Sequence, residues 1–416
     1  MAIKSLRNKM IAMIALPKPL MTTEPSSSSN ESEKRRIAKM KKKQITKISI
    51  LTLLSVMFSS CRSVDTSAPF PPGSPQAREV AETERLGPSI HDPSELQFEN
   101  GCFMVFATGK GIRSWYRNPQ TDNWRLADII FPPGRHPEWW DEVFPNHKGY
   151  FWAPCVPSKW VMYYSFEADE DYASAIGRAV ATGVAPNLTW KDDGPVLIMP
   201  ACREPDAWCP VAIDPSVFTD DKGNMYMAFG SGTTGIWIVE LNPQTGHLTD
   251  EAAQGFSDDN KAFHRVAYRQ LSEPRGDAEY IEGAYVYRHP TNGYYYLFVN
   301  WGQCCSGVDS TYQIMVGRSK SPTGPYIDKD GKDMVDQAGT LLIQTEGKYI
   351  GPGHASIYRH TDGRYAFSFH YYDGEAEGRA RLAVRNLTWV DDWPQVSDTD
   401  FFETLRKKNM PQGTYR

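Results

Sequence analysis

Three acidic residues each open a hydrophobic stretch of this chain: Asp92 in His91-Asp92-Pro93-Ser94, Asp214 in Ile213-Asp214-Pro215-Ser216, and Glu282 in Ile281-Glu282-Gly283-Ala284. Two carboxylic acids facing each other across a sugar–sugar bond are the minimum equipment for glycoside hydrolysis. One, protonated, hands its proton to the leaving oxygen; the other, ionised, activates water or attacks. A third acid close by separates the two pKa values, because a neighbouring negative charge keeps a proton on its partner. Taken singly, an Asp-Pro or a Glu-Gly more often just starts a turn. Their shared phase is what makes the three a candidate catalytic set.

That phase belongs to a repeat. Trp152-Ala153-Pro154 and Gly351-Pro352-Gly353-His354 fall on the same beat, so Asp92, Ala153, Asp214, Glu282 and His354 are separated by 61, 61, 68 and 72 residues. A period of this size marks a repeated supersecondary unit. Nine to eleven residues past four of the five markers comes a turn glycine, in Asn100-Gly101, Lys222-Gly223, Asn292-Gly293 and Asp362-Gly363, while Ser158-Lys159 stands in the second unit. Such pairs supply the positive φ of tight hairpins. Each leads into an aromatic, strand-like run: 102–106, 160–164, 225–229, 294–298 and 365–369. The tetrapeptide Asn-Leu-Thr-Trp, followed by Asp-Asp, occurs at 187–193 and again at 386–392, and both copies read as the outer end of a unit.

Four strands with their loops fill about 60 residues, the size of a large propeller blade. The fold expected is therefore all-β: a five-bladed β-propeller with four antiparallel strands per blade. A sandwich has similar strands and turns but does not explain the fixed offset from marker to turn. Helical periodicity is scarce, which argues against a doubly wound α/β fold. In this arrangement all three acids face the propeller axis although they span 190 residues, and so does His354. Gly230-Ser231-Gly232-Thr233-Thr234-Gly235 matches the dinucleotide fingerprint by letter, but it leads into the strand-like Ile236-Trp237-Ile238-Val239 and reads as a hairpin turn.

The formal charge of −5 is unevenly divided. Residues 1–60 hold 12 Lys and Arg against 3 Glu, so from Cys61 onward 33 basic residues meet 47 acidic ones, a balance of −14. A surface this acidic repels phosphate backbones, and nucleic acid is not an expected partner. Met40-Lys41-Lys42-Lys43, the apolar run from Ile48 to Phe58 and Ser59-Ser60-Cys61 read as a secretory signal. The run is too short to span a bilayer as a resident helix. Its junction resembles a bacterial lipoprotein processing site with Cys61 as the lipidated residue, although Phe58 departs from the usual aliphatic residue and leaves ordinary cleavage open. A signal starts well at Met40, so 1–39 reads as sequence ahead of the true start. The expected organisation is a signal-bearing extension over 1–61, a polar tether over 62–88 and a catalytic propeller over 89–416. The expected address is outer-membrane, periplasmic or secreted, with a lipid anchor as the sole tie to a membrane and a monomeric state. Of the remaining cysteines, Cys202 and Cys209 are placed to close a short loop. Zinc spacings are missing, so buried thiols or one or two disulfides are expected rather than metal.

The motifs resemble those of the arabinanases of glycoside hydrolase family 43, from about Ile90 to Tyr372. The resemblance is carried by Ser174-Ala175-Ile176-Gly177, Ala212-Ile213-Asp214-Pro215, and Phe229-Gly230-Ser231 with Gly235-Ile236. It continues in the distinctive Cys304-Cys305-Ser306-Gly307-Val308-Asp309-Ser310-Thr311-Tyr312, in Val316-Gly317-Arg318-Ser319 with Gly324-Pro325-Tyr326, and in Gly351-Pro352-Gly353-His354 and His370-Tyr371-Tyr372-Asp373. It implies a five-bladed propeller that hydrolyses α-1,5-linked L-arabinan with inversion. Asp92 would be the general base, Glu282 the general acid and Asp214 the residue that keeps Glu282 protonated. Inversion needs the base and acid roughly 6.5–9.5 Å apart, to admit a water. His354 would lie over a single central calcium ion ligated mostly by water. His91, Trp139, Phe151, Trp152 and Ser231 would meet the sugar. Cys155, Val211 and Ala284 replace a usual Asp, Asn and Pro, changing the surroundings of the catalytic groups without removing them. Alternatives are an exo-acting α-L-arabinofuranosidase or β-xylosidase of the same family, or a sugar-binding lipoprotein without turnover, for which three intact acids have no use.

Overall fold

The computed structural model describes residues 88–409, apart from 120–122, 133, 146, 168–172, 200–209, 258 and 271–279, together with Ala81. The expected signal over 1–61, almost all of the tether, and the Cys202 and Cys209 pair lie outside the described residues. The strands form five antiparallel sheets. The first comprises β1 (Gln97–Glu99), β2 (Cys102–Ala107), β4 (Arg113–Arg117) and β5 (Arg125–Leu126). The second comprises β6 (Tyr150–Ser158), β7 (Val161–Glu167), β8 (Ser174–Val184) and β9 (Asn187–Met199), with the two-residue β3 (Gly109–Lys110) added beside β6 as a fifth strand. The third is β10 (Ser216–Thr219) to β13 (Phe263–Ala267), with β11 (Met225–Phe229) and β12 (Ile236–Leu241) between them. The fourth runs β14 (Ile281–Arg288), β15 (Tyr295–Trp301), β16 (Gln313–Ser319) and β17 (Thr340–Ile343). The fifth runs β18 (Tyr349–Arg359), β19 (Tyr365–Asp373), β20 (Arg379–Val390) and β21 (Trp393–Asp400). This is the five-bladed propeller expected. Among the described residues, the helices α1 (Trp140–Val143) and α2 (Phe401–Asn409) lie outside the sheets.

Turn chemistry sets the blades. Asn100 and Gly101 both take positive φ, 48° and 73°, so that Glu99 pairs directly with Cys102 across a two-residue hairpin. Gly223, Gly293 and Gly363 also have positive φ. The dinucleotide-like stretch is a hairpin connection: a single 3₁₀ turn, Gly232–Thr234, joins antiparallel β11 and β12. The repeated tetrapeptide does not keep one phase. Its first copy begins the outer strand β9, whereas its second lies in the third strand β20 and ends at the Asp391-Asp392 turn, where both residues have positive φ.

Between neighbouring blades lies an apolar core, and alternate residues of one strand serve different cores. Met104 and Phe106 of β2 pack toward blade two, while Phe103 and Val105 pack toward blade five. Met227 and Phe229 face blade two, and Tyr226 and Ala228 face blade four. Tyr296 and Phe298 face blade five, and Leu297 and Val299 face blade three. A strand buried on both faces carries no polar alternation. That is why these segments read as unbroken aromatic runs. The ring closes where blade five meets blade one, over a core that Phe401, Phe402 and Leu405 of α2 complete.

The repeat markers share a backbone state. Asp92, Ala153, Asp214 and His354 all have φ between 40° and 57°, and in blade four the equivalent residue is Gly283 at 62°. In β6, β14 and β18 the marker sits at a break in strand register, a bulge that re-aims the side chain. Glu282 therefore stands one residue ahead of the shared position, a correction to the equivalence expected from spacing. Gly283 is required there, since a β-carbon would come within 2.4 Å of Asn300 Nδ2.

Candidate active site

Asp92 enters the axis on the bend before β1 and is held from several blades at once. Thr108 Oγ1 donates to Asp92 Oδ2 at 2.6 Å, and His91 Nδ1 reaches the same oxygen at 2.8 Å. Thr108 in turn accepts the Ala153 N–H at 2.9 Å, tying the second blade's marker to the first blade's acid. The Asp92 N–H donates to His370 Nδ1 at 3.1 Å. His370 is fully buried, which pushes its pKa well below the usual histidine range, so it is neutral and carries its proton on Nε2. Its ring stacks on His91 with centroids 4.0 Å apart. On the far side of His91, Nε2 meets the Tyr372 hydroxyl at 2.6 Å. Burial alone would raise the Asp92 pKa, but the His91 charge and hydrogen bond, with His354 beside it, hold the carboxyl well below its ordinary value. Asp92 is the ionised member of the set.

The other two acids are the reverse case. Burial pushes Glu282 up to about 7, and the nearby Asp92 charge adds to the shift, against the lowering effect of Ser231 Oγ, which donates to Glu282 Oε2 at 2.7 Å. Burial also raises Asp214, and the charge of Glu282 adds to it. Asp214 Oδ2 accepts the Gly283 N–H at 2.9 Å, a bond that favours its ionised form and anchors the residue next to Glu282. The two carboxyls titrate as a pair near neutrality and hold a proton between them. Repulsion and desolvation thus keep a protonated acid opposite an ionised base.

These groups line a cavity of about 660 Å³. His91, Asp92, Trp152, Asp214, Ser231 and Glu282 are all on its wall, as the motifs predict. Two aromatic expectations are corrected. Phe151 is 1% exposed and stacks on Phe131 in the core between blades one and two. Strand alternation sends Trp152 into the cavity and its neighbour away from it. Trp139 packs on Phe166 in that same core and is not among the cavity's lining residues. Residues without an assignment from sequence also line the wall, among them Thr108, Tyr150, Tyr280, Gln303 and Tyr312. Tyr312 closes the Cys304–Tyr312 motif and Tyr150 opens β6, whereas Thr108, Tyr280 and Gln303 lie outside every motif, between strands. His370 and Tyr372 lay within a recognised motif, yet their roles depend on cross-blade distances. Cys155, which replaces the usual Asp, is a buried free thiol that donates to Glu95 Oε1 at 3.3 Å and accepts the Val217 N–H. Cys102, by contrast, is disulfide-bonded.

His354 is buried, with its N–H on Asn300 Oδ1 at 3.1 Å and its Nδ1 3.5 Å from Asp92 Oδ1. Among the described residues, no cluster of three His, Cys, Asp or Glu ligand atoms includes it. Calcium takes six to eight oxygens. The donor set fits such an ion only with a shell made mostly of water around one imidazole.

Known proteins agree with this geometry. An extracellular exo-α-(1→5)-L-arabinofuranosidase of Cellvibrio japonicus is 34% identical over 322 residues, covering 75% of this chain and 87% of the relative. An extracellular endo-α-(1→5)-L-arabinanase of Bacillus subtilis is 32% identical over 312 residues, covering 73% and 87%. The solved structure of a Cellvibrio cellulosa α-L-arabinanase complexed with arabinohexaose superposes with a TM-score of 0.65 at 33% identity, covering 75% of this chain and 96% of that one. Residues 87–394 match the profile described as glycosyl hydrolases family 43, and this chain is a glycosidase belonging to that family.

Proposed function

We propose that this protein is an exported hydrolase of α-1,5-linked L-arabinan that inverts at the anomeric carbon. The observation that carries the reading is the split protonation of Asp92 and Glu282 across one cavity. Both short bonds to Asp92 fall on Oδ2, which leaves Oδ1 to take a proton from the attacking water. Ser231 fixes Oε2 of Glu282 and leaves its other oxygen to protonate the departing sugar. Asp214 holds Glu282 in its acid form, and Trp152 offers a face for sugar stacking. His354 would hold the calcium ion, which supplies positive charge near Asp92. Chelation should then lower the melting temperature and added calcium restore it, a response missing in His354→Ala.

The test of function is the product profile on debranched arabinan. A ladder of oligosaccharides supports endo cleavage. Release of arabinose or a single short product from chain ends supports exo cleavage, which the exo-acting Cellvibrio relative favours. No release of sugar refutes the hydrolase reading. Export rests on the signal-like segment before Cys61 and on the extracellular names of the two relatives. Lipidation of Cys61 is checked by mass spectrometry of the mature N-terminus, and an unmodified terminus downstream of Cys61 would identify a soluble secreted enzyme instead.

A further inference from the structure

Cys304 and Cys305 take no part in the hydrolysis described above. Both are free thiols, Cys304 half-buried and Cys305 exposed, and both line the sugar cavity beside His91. Successive side chains of an extended segment point to opposite sides. Here they converge, because Cys305 is held at φ 63°, a left-handed conformation that costs a residue with a β-carbon free energy. The Tyr372 hydroxyl holds that conformation, accepting the Cys305 N–H at 2.7 Å. As a result both Sγ atoms and a His91 ring nitrogen lie within 4.8 Å of one another, with Cys305 Sγ 3.8 Å from His91 Nε2.

We propose that His91, Cys304 and Cys305 form a binding site for a soft, thiophilic divalent cation of the zinc and cadmium class, and that filling it stops hydrolysis. Two sulfurs and one imidazole are three ligands of a tetrahedral site, with solvent as the fourth. His91 is already set for the role. Its Nδ1 bonds Asp92 at 2.8 Å, the carboxylate–histidine arrangement that orients metal-binding imidazoles, and its Nε2 lies 3.8 Å from Cys305 Sγ, so that a bound ion replaces the Tyr372 hydroxyl now 2.6 Å from that nitrogen. Sulfur ligands select against calcium, so this site and His354 differ in the ion they take. On binding, the protons still held by the two cysteine sulfurs and by His91 Nε2 leave to solvent, and no electrons are transferred. An ion there occupies the sugar's space and sets positive charge one residue from the base, which weakens its pull on a water proton. This inhibitory effect rests on the proposed arabinan hydrolysis; the binding does not.

Cadmium titration of the reduced protein tests both. The readouts are thiolate-to-cadmium charge-transfer absorption, recorded without substrate, and arabinan hydrolysis. One equivalent should raise the band and abolish activity along the same curve, and a dithiol chelator should reverse both. Cys304→Ser and Cys305→Ser should each diminish the band and weaken inhibition by about tenfold or more, in line with lost ligation. Absence of the band in the wild type overturns the proposal, as does a Cys304→Ser/Cys305→Ser double variant that keeps both the band and the inhibition curve. A protein that shows the band but never cleaves arabinan refutes the function and retains the site.

Discussion

A carboxylic acid serves as a general acid near neutrality only if its proton survives there, and burial of Glu282 beside Asp92 and Asp214 meets that condition. The rate should therefore fall as pH rises through about 7, where Glu282 loses its proton. On the acid side, Asp92 stays ionised below the usual carboxylate range, so activity should persist at mildly acidic pH. Asp214→Asn removes a negative neighbour, which lowers the Glu282 pKa and moves the alkaline limb of kcat/KM to lower pH; an unmoved limb would exclude that role. Glu282→Gln and Asp92→Asn should each reduce kcat by about 10²–10⁴-fold while leaving the circular dichroism spectrum unchanged. Near-normal turnover in either variant would end the assignment of acid and base.

The elements put these residues where their chemistry works. In every blade the first strand, or the segment leading into it, bends at a left-handed residue, and Asp92, Asp214 and Glu282 at or beside such bends line the cavity. Phe151 and Trp152 show how sharply one strand divides its duties. Phe151→Ala empties a buried site and should cost about 3–5 kcal/mol of stability, read as a lower denaturation midpoint. Trp152→Ala should leave the midpoint nearly unchanged and instead raise KM for arabinan. Equal effects of the two on stability would mean that Trp152 is core rather than cavity wall. The period and the turn glycines were legible in the chain because hairpins require particular residues at particular places. The one-residue offset of Glu282 was not, since it depends on whether the acid or the following glycine occupies the bend.

At the scale of the molecule, five inter-blade cores replace one central core, so each blade depends on both neighbours. Among the described residues no strand of the last blade pairs into the first sheet. Closure comes from packing, with Phe402 1% exposed against Phe103 and under the Arg117 guanidinium at 4.0 Å, and from hydrogen bonds such as Ile90 N–H to the Ala380 carbonyl at 3.3 Å. Phe402→Ala should thus cost about 3–5 kcal/mol although it lies far along the chain from every catalytic residue. A denaturation midpoint equal to wild type would show that the ring closes without α2. Among the described residues no helix is long and apolar enough to cross a membrane.

Local signals settled what local physics controls. Asn-Gly turns, unbroken apolar runs and the spacing of Asp92, Asp214 and Glu282 determine strands, blade number and the three acids that share one cavity. Each follows from backbone sterics or from burial that neighbouring residues share. Which neighbour of a pair faces the cavity, as Trp152 does and Phe151 does not, depends on the register of β6 against the next blade. The histidine and tyrosine that brace Asp92, and the thiols that meet His91, lie more than 200 residues from their partners. Their distances exist only once the ring has closed, because through-space electrostatics and ligand geometry depend on separation in three dimensions and not along the chain.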